Sequence, residues 1–248
     1  MRSILSAALP RRSAAIRRLN SVITDSFGYS TVAGYSARRM DTQLKKARVV
    51  PVVVIENADD AIPVAEALRD GGLPIIEVTL RTDAAPEAIR RIATHVADVV
   101  VGAGTVLNAE QVKVSAEAGA RFIVSPGLHE SVVNEARARH LPIYPGIATA
   151  TEALAAWNFG IRTVKFFPAG QAGGVAMLKA LSSVYRDLSF MPTGGITPET
   201  LTDYLQLPSV VACGGSWLTP ASAIENKDYV SITALAADAC ALAESSDG

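Results

Sequence analysis

Val49-Val50-Pro51-Val52-Val53-Val54-Ile55 runs without a polar side chain into Glu56-Asn57-Ala58-Asp59-Asp60. An unbroken run rich in β-branched residues is the pattern of a strand buried on both faces, as in a parallel sheet covered by helices. The turn after it holds no glycine. An open doubly wound sheet that binds a dinucleotide would place a Gly-x-Gly-x-x-Gly turn after an early strand, so the first turn already disfavours that competitor.

Outward from this stretch the same unit recurs. Apolar runs begin near Val49, Ile75, Asp98, Phe122, Pro142, Thr163, Ser189 and Val210, spaced by 20 to 26 residues, which is one strand, one helix and two turns each time. Between them, Asp59 to Gly71, Ala85 to Val96, Asn108 to Gly119, Glu130 to His140, Thr151 to Gly160 and Pro198 to Leu205 carry apolar residues at helical spacing. Gly71, Gly119 and Gly160 read as helix stops. Eight βα units predict an α/β protein, a closed (β/α)8 TIM barrel forming a single domain over residues 41–248.

Composition narrows the function. The 248 residues are 49% apolar and 19% charged, and a core can grow to about 250 residues before chains tend to split. A net charge of -1 gives no global attraction to nucleic acid or to an anionic membrane. The apolar runs are far short of the ~20 residues that cross a bilayer. Two cysteines, Cys213 and Cys240, make no disulfide framework and point to a reducing compartment. No Cys/His spacing suits a metal.

Charge is unevenly spread. Residues 1–40 hold seven arginines and one acid, Asp25, which makes this stretch +6 and residues 41–248 -7. It reads as an extension outside the fold, disordered or targeting. One form is an organellar transit peptide with a basic amphipathic turn over Ser13 to Ile23; the other is an upstream extension, with Met40 as the natural start. The expected location is cytoplasmic, or organellar if the extension is a transit peptide.

Active sites of such barrels lie at the C-terminal ends of the strands. In Ile75-Ile76-Glu77-Val78-Thr79-Leu80-Arg81, period two puts Glu77, Thr79 and Arg81 on one face, predicted to point inward. A structural Glu77–Arg81 pair plugging the barrel is the plain alternative. Thr163-Val164-Lys165-Phe166-Phe167-Pro168-Ala169 sets a lysine in an apolar strand, with Lys165 and Phe167 sharing the inward set. Burial favours the neutral amine, a nucleophile toward carbonyls, unless the lysine simply pairs with Glu77. A carboxylate beside that amine can shuttle protons. Gly102-Ala103-Gly104-Thr105, Thr193-Gly194-Gly195 and Gly214-Gly215-Ser216 end the third, seventh and eighth strands. The last two positions commonly form a phosphate site, because glycines let backbone N–H groups approach the anion.

Glu77-Val78-Thr79-Leu80-Arg81, Gly102-Ala103-Gly104-Thr105-Val106-Leu107, Ser125-Pro126-Gly127, Lys165-Phe166-Phe167-Pro168-Ala169, Pro192-Thr193-Gly194-Gly195-Ile196 and Gly214-Gly215-Ser216-Trp217-Leu218 resemble consecutive motifs of a known family. It is that of the bacterial 2-keto-3-deoxy-6-phosphogluconate aldolases, which also act as 4-hydroxy-2-oxoglutarate aldolases. The resemblance runs from about Val49 to Asp238. It implies a Schiff-base carbon-carbon lyase of carbohydrate metabolism in the Entner-Doudoroff pathway, without metal or other cofactor and usually a homotrimer. Its partners would be small keto-acid and phosphosugar-acid substrates. By the resemblance Lys165 is the Schiff-base lysine, Glu77 the general acid/base, and Arg81 with Thr105 holds the pyruvyl carboxylate. Pro126 and Phe167 would wall the pyruvyl group, Thr193 touch substrate, and Gly194, Gly195 and Ser216 hold the phosphate.

Two rival functions use the same barrel. A phosphosugar isomerase or epimerase would need the glycine loops and an acid/base pair but no lysine in an apolar strand. A non-catalytic phosphosugar-binding barrel would tolerate loss of Glu77 or Lys165. The remaining polar residues read plainly: His95, His129 and His140 as surface groups, Cys213 as a small apolar strand residue, Cys240 as a small apolar helix residue, and Glu56, which at the mouth could touch a ligand, as a helix-cap neighbour of Asn57.

Overall fold

A computed structural model of the protein describes residues 31–246, and the side chains of residues 38–246. Helix α1 (Thr31–Ala47) leads into eight strands that alternate with helices. In chain order these are β1 (Val49–Val53), α2 (Ala61–Asp70), β2 (Ile75–Thr79), α3 (Ala85–His95), β3 (Val100–Gly104), α4 (Ala109–Glu117), β4 (Ile123–Ser125) and α5 (Glu130–Ala138). There follow β5 (Ile143–Ile147), α6 (Ala150–Asn158), β6 (Thr163–Phe166), α7 (Gly174–Val184), β7 (Ser189–Pro192), α8 (Pro198–Leu205), β8 (Cys213–Gly215), α9 (Ala221–Glu225) and α10 (Tyr229–Ser245).

Strands β1 to β7 pair parallel in chain order, and β8 pairs with the other edge of β1. Two isolated parallel bridges, Phe190 to Val210 and Thr193 to Gly214, bring the β7 and β8 edges together. The result is the expected (β/α)8 barrel, nearly closed. Alternate strand residues divide two cores. Val49, Val53, Ile76, Val78, Val101, Ala103, Ile123, Val164, Phe166 and Phe190 face the helices. Val50, Ile75, Val124, Tyr144, Met191 and Ala212, with Phe122, fill the lower barrel.

Helix α1 crosses the composition boundary at residue 40. Its buried Met40 and Leu44 join the lower interior core, so the helix closes the N-terminal mouth as a plug. Tyr144 donates a hydrogen bond to Asp41 Oδ1 at 3.0 Å, and Thr163 bonds the same carboxylate. The Ser13 to Ile23 turn and the rest of residues 1–30 lie outside the described residues.

Helix ends follow local chemistry. Asn108 accepts from the Gln111 amide, and Thr149 with Glu152 forms a capping box. Gly119 (φ 98°) and Gly160 (φ 73°) adopt the left-handed stops expected of them. After α2 the left-handed residue is Gly72 (φ 97°), not Gly71. Gly71 serves packing instead: a Cβ there would stand 2.5 Å from Ala236 Cβ and 2.6 Å from Thr233 O, both on α10.

Candidate active site

Strand β6 turns Val164 and Phe166 toward the helices and therefore Lys165 into the barrel. Across the interior, Lys165 Nζ lies 3.2 Å from Glu77 Oε1, with the lysine 5% and the glutamate 0% exposed. A buried ion pair by itself would be compatible with a structural plug. Glu77 is not fully used by its partner, however: Oε2 is buried and lacks a hydrogen bond, and so does Thr193 Oγ1. Buried acceptors without partners cost about 1–3 kcal/mol each. Both lie toward the C-terminal ends of the strands, the face on which barrels of this type carry their active sites, and a ligand carrying hydroxyl or carboxyl groups would satisfy them. The Phe167 ring, whose centroid is 5.2 Å from Lys165 Nζ, lies alongside the amine.

Space around this pair comes from inward glycines. A Cβ at Gly146 would stand 2.0 Å from the Pro126 carbonyl, and one at Gly214 would stand 2.3 Å from Thr193 Oγ1. The turn carrying the half-buried Pro126 is fixed by the Ser125 hydroxyl, which donates to Gly127 O at 2.7 Å.

At the end of β7, Gly194 (φ 94°) and Gly195 (φ 75°) adopt left-handed backbone, where other residues are strained. Ser216 is exposed just beyond β8. The Thr193–Gly214 bridge sets these two glycine loops side by side. A third glycine loop, which sequence reading missed, follows β6. Gly170 N donates to Gly194 O at 2.9 Å, and Gly173 (φ 102°) with Gly174 (φ 57°) opens α7 without a side-chain cap. The signal was present as Gly170 and Gly173-Gly174.

Arg81 departs from its expected place. Strand β2 ends at Thr79, and Arg81 N turns back to Thr79 O at 2.8 Å, so the period-two alternation stops before residue 81. The arginine is exposed and lines a groove with Thr82, Asp83, Asn108 and Gln111. Among the described ion pairs, Glu77 has Lys165 as partner and not Arg81. Thr105, half-buried next to Gly104, has φ 54°, an uncommon conformation for threonine.

His95, His129 and His140 are exposed, and His129 additionally caps α5 by accepting from Ser131 N. Cys213 is buried in β8, where desolvation raises its thiol pKa strongly. Cys240 lies half-buried on α10. Asn57, not Glu56, caps the short 3-10 turn before α2, and Glu56 is exposed. Among the described residues, no group of three or more His, Cys, Asp or Glu side chains could hold a metal ion.

Comparison with known proteins meets this geometry. The 2-dehydro-3-deoxy-phosphogluconate aldolase of Treponema pallidum (strain Nichols) is 50% identical over 192 residues, covering 77% of this chain and 91% of that protein. The crystal structure of the 2-keto-3-deoxy-6-phosphogluconate aldolase of Zymomonas mobilis ZM4 with 3-phosphoglycerate superposes with TM-score 0.79 at 46% identity, covering 83% of this chain and 97% of that one. The KDPG aldolase of Legionella pneumophila, with pyruvate captured at low pH as a covalent carbinolamine intermediate, superposes with TM-score 0.77 at 40% identity, covering 79% and 96%. Residues 40–235 match the family described as "Aldolase: KDPG and KHG aldolase", and the chain belongs to that family.

Proposed function

We infer that the protein is a Schiff-base aldolase. It cleaves 2-keto-3-deoxy-6-phosphogluconate to pyruvate and glyceraldehyde 3-phosphate, and 4-hydroxy-2-oxoglutarate to pyruvate and glyoxylate. The observation that carries this reading is the buried Lys165–Glu77 contact at 3.2 Å with one carboxylate oxygen left without a partner. The carbinolamine seen in the Legionella relative supports the lysine chemistry. An isomerase on the same barrel would have no use for a buried amine there.

Glu77 is placed to take the proton that the Lys165 ammonium must lose before it attacks. The free amine adds to the C2 ketone, Glu77 returns its proton to the carbinolamine hydroxyl so that it leaves as water, and the resulting iminium is an electron sink. Glu77 then removes the C4 hydroxyl proton, the C3–C4 bond breaks, and its electron pair forms the enamine. The proton on Glu77 returns to C3, and water releases pyruvate. Phe167 and Pro126 wall the pyruvyl group, Thr193 offers its hydroxyl, and Thr105 with Arg81 receives the carboxylate, for which arginine supplies two parallel donors. Arg81 must swing inward from its exposed position to do so. Gly194, Gly195 and Ser216 receive the phosphate of the larger substrate. The reaction draws its electron sink from the lysine and needs neither metal nor cofactor.

The expected assembly is a homotrimer. Its support, besides the resemblance, is the exposed apolar trio Leu154 (48%), Trp157 (40%) and Val184 (71%) along one groove. The expected location is the cytoplasm; no helix of the described residues is long and apolar enough to cross a membrane.

Borohydride reduction in the presence of pyruvate tests the nucleophile. One three-carbon unit per chain should attach to Lys165, and Lys165→Met should lose both label and cleavage. A label on another lysine, with cleavage intact in the variant, refutes the assignment.

A further inference from the structure

Strand β3 gives the upper barrel no side chain. Its inward positions are Gly102 and Gly104, and neither has the positive φ that would mark a turn glycine. What they supply is room. A Cβ at Gly102 would lie 2.3 Å from the Phe122 ring, which fills the layer below. A Cβ at Gly104 would lie 2.2 Å from Glu77 Oε1, 2.6 Å from its Cγ and 2.7 Å from its Cδ. The Glu77 side chain thus rests on bare β3 backbone, and the oxygen nearest that backbone is the one held at 3.2 Å from Lys165.

We propose that Gly104 is a positioning residue for the acid/base step: the hydrogen in place of its side chain allows Glu77 to lie over β3 with Oε1 at the amine and Oε2 turned to substrate. The proposal rests on the reading of Glu77 as the acid/base. Contacts under 3.0 Å are essentially never made by real Cβ atoms. Any side chain at residue 104 must therefore displace the carboxylate, and the nearest atom it would strike is the Oε1 at the amine. A misplacement of about 1 Å in a catalytic group can cost on the order of 100-fold in rate.

The test is Gly104→Ala in the full chain, read by two signals that separate the lysine from the carboxylate. Borohydride should still fix pyruvate on Lys165 after long incubation. Exchange of the pyruvate methyl hydrogens with deuterated solvent, and cleavage of 2-keto-3-deoxy-6-phosphogluconate, should each fall by on the order of 100-fold in kcat. The diagnostic comparison adds Glu77→Ala, which removes Cγ, Cδ and Oε1, the three atoms nearest a new Cβ at residue 104. Alone, Glu77→Ala should slow exchange; adding Gly104→Ala to it should lower neither exchange nor melting temperature further. Wild-type exchange in Gly104→Ala, or a further loss of exchange or melting temperature in the double variant, would overturn the proposal. If Gly104→Ala does not fold, the double variant decides. It should fold and match Glu77→Ala, whereas failure to fold would assign the intolerance to the β3 backbone and not to the carboxylate. Glu77→Gln tests the underlying reading separately: undiminished exchange there would remove Glu77 as the acid/base whatever Gly104 does.

Discussion

At the scale of single residues, one barrel mouth brings together groups with separate tasks, and substitution should separate them. In the proposed reaction Lys165 and Glu77 would act at the reacting carbons of either substrate, whereas Ser216 lies beyond β8 beside the two glycine loops. Ser216→Ala should lower kcat/KM for 2-keto-3-deoxy-6-phosphogluconate by about 1.5–3 kcal/mol, the size of a hydrogen bond to a charged group. On 4-hydroxy-2-oxoglutarate, which has no phosphate, the loss should be much smaller. Steady-state rates on both substrates decide it, and equal losses would move the phosphate site elsewhere. Lys165 was legible in the sequence because a charge in an apolar strand has few bland explanations. Arg81 was misplaced because period two holds only while the strand lasts, and β2 ends at Thr79. Gly102 and Gly104 read only as glycines at the end of the third strand, since a sequence does not tell a glycine needed for φ from one needed for space.

Among the elements, α1 has the clearest consequence for pH. Asp41 on that helix accepts from Tyr144, and burial raises its pKa above the ordinary 3.8 despite the bonds from Tyr144 and Thr163 and the Lys45 charge. A carboxyl raised in the folded state opposes folding once ionised, so its stability contribution is lost as pH rises through the folded pKa. Asp41→Asn keeps an acceptor for Tyr144 and removes the desolvated charge. It should raise the melting temperature at pH 7, with the advantage shrinking as pH falls toward 4. A lower melting temperature at pH 7 would contradict this. By contrast, Leu44→Ala empties a fully buried position and should cost about 2–5 kcal/mol at any pH. Strand order and most helices were readable from Val/Ile runs and amphipathic stripes. Helix α10 showed only as the helical setting of Cys240, its extent blurred because TALAADACALA is alanine-rich on every side, and α7 was hidden behind the Gly173-Gly174 start. Helix α1 was obscured because the charge boundary at residue 40 falls inside it.

The whole molecule sets the expected assembly and the rigidity of the mouth. A trimer predicts a sedimentation mass of three times 26.0 kDa, with Trp157→Glu shifting it toward a single chain. A single-chain mass for the natural protein would refute the trimer. The barrel's circumference is uneven: β1 and β2 share a continuous ladder with their neighbours, while β7 and β8 meet at two isolated bridges. A hoop fastened at two points takes its tension from whatever clasps the gap. Gly194 and Gly195 stand on one side of that gap and Ser216 on the other, so a phosphate held by both, as proposed, would also be a buckle. The six-carbon substrate would then tighten the ring around its own reaction, whereas the five-carbon substrate would be turned over in a ring left unbuckled.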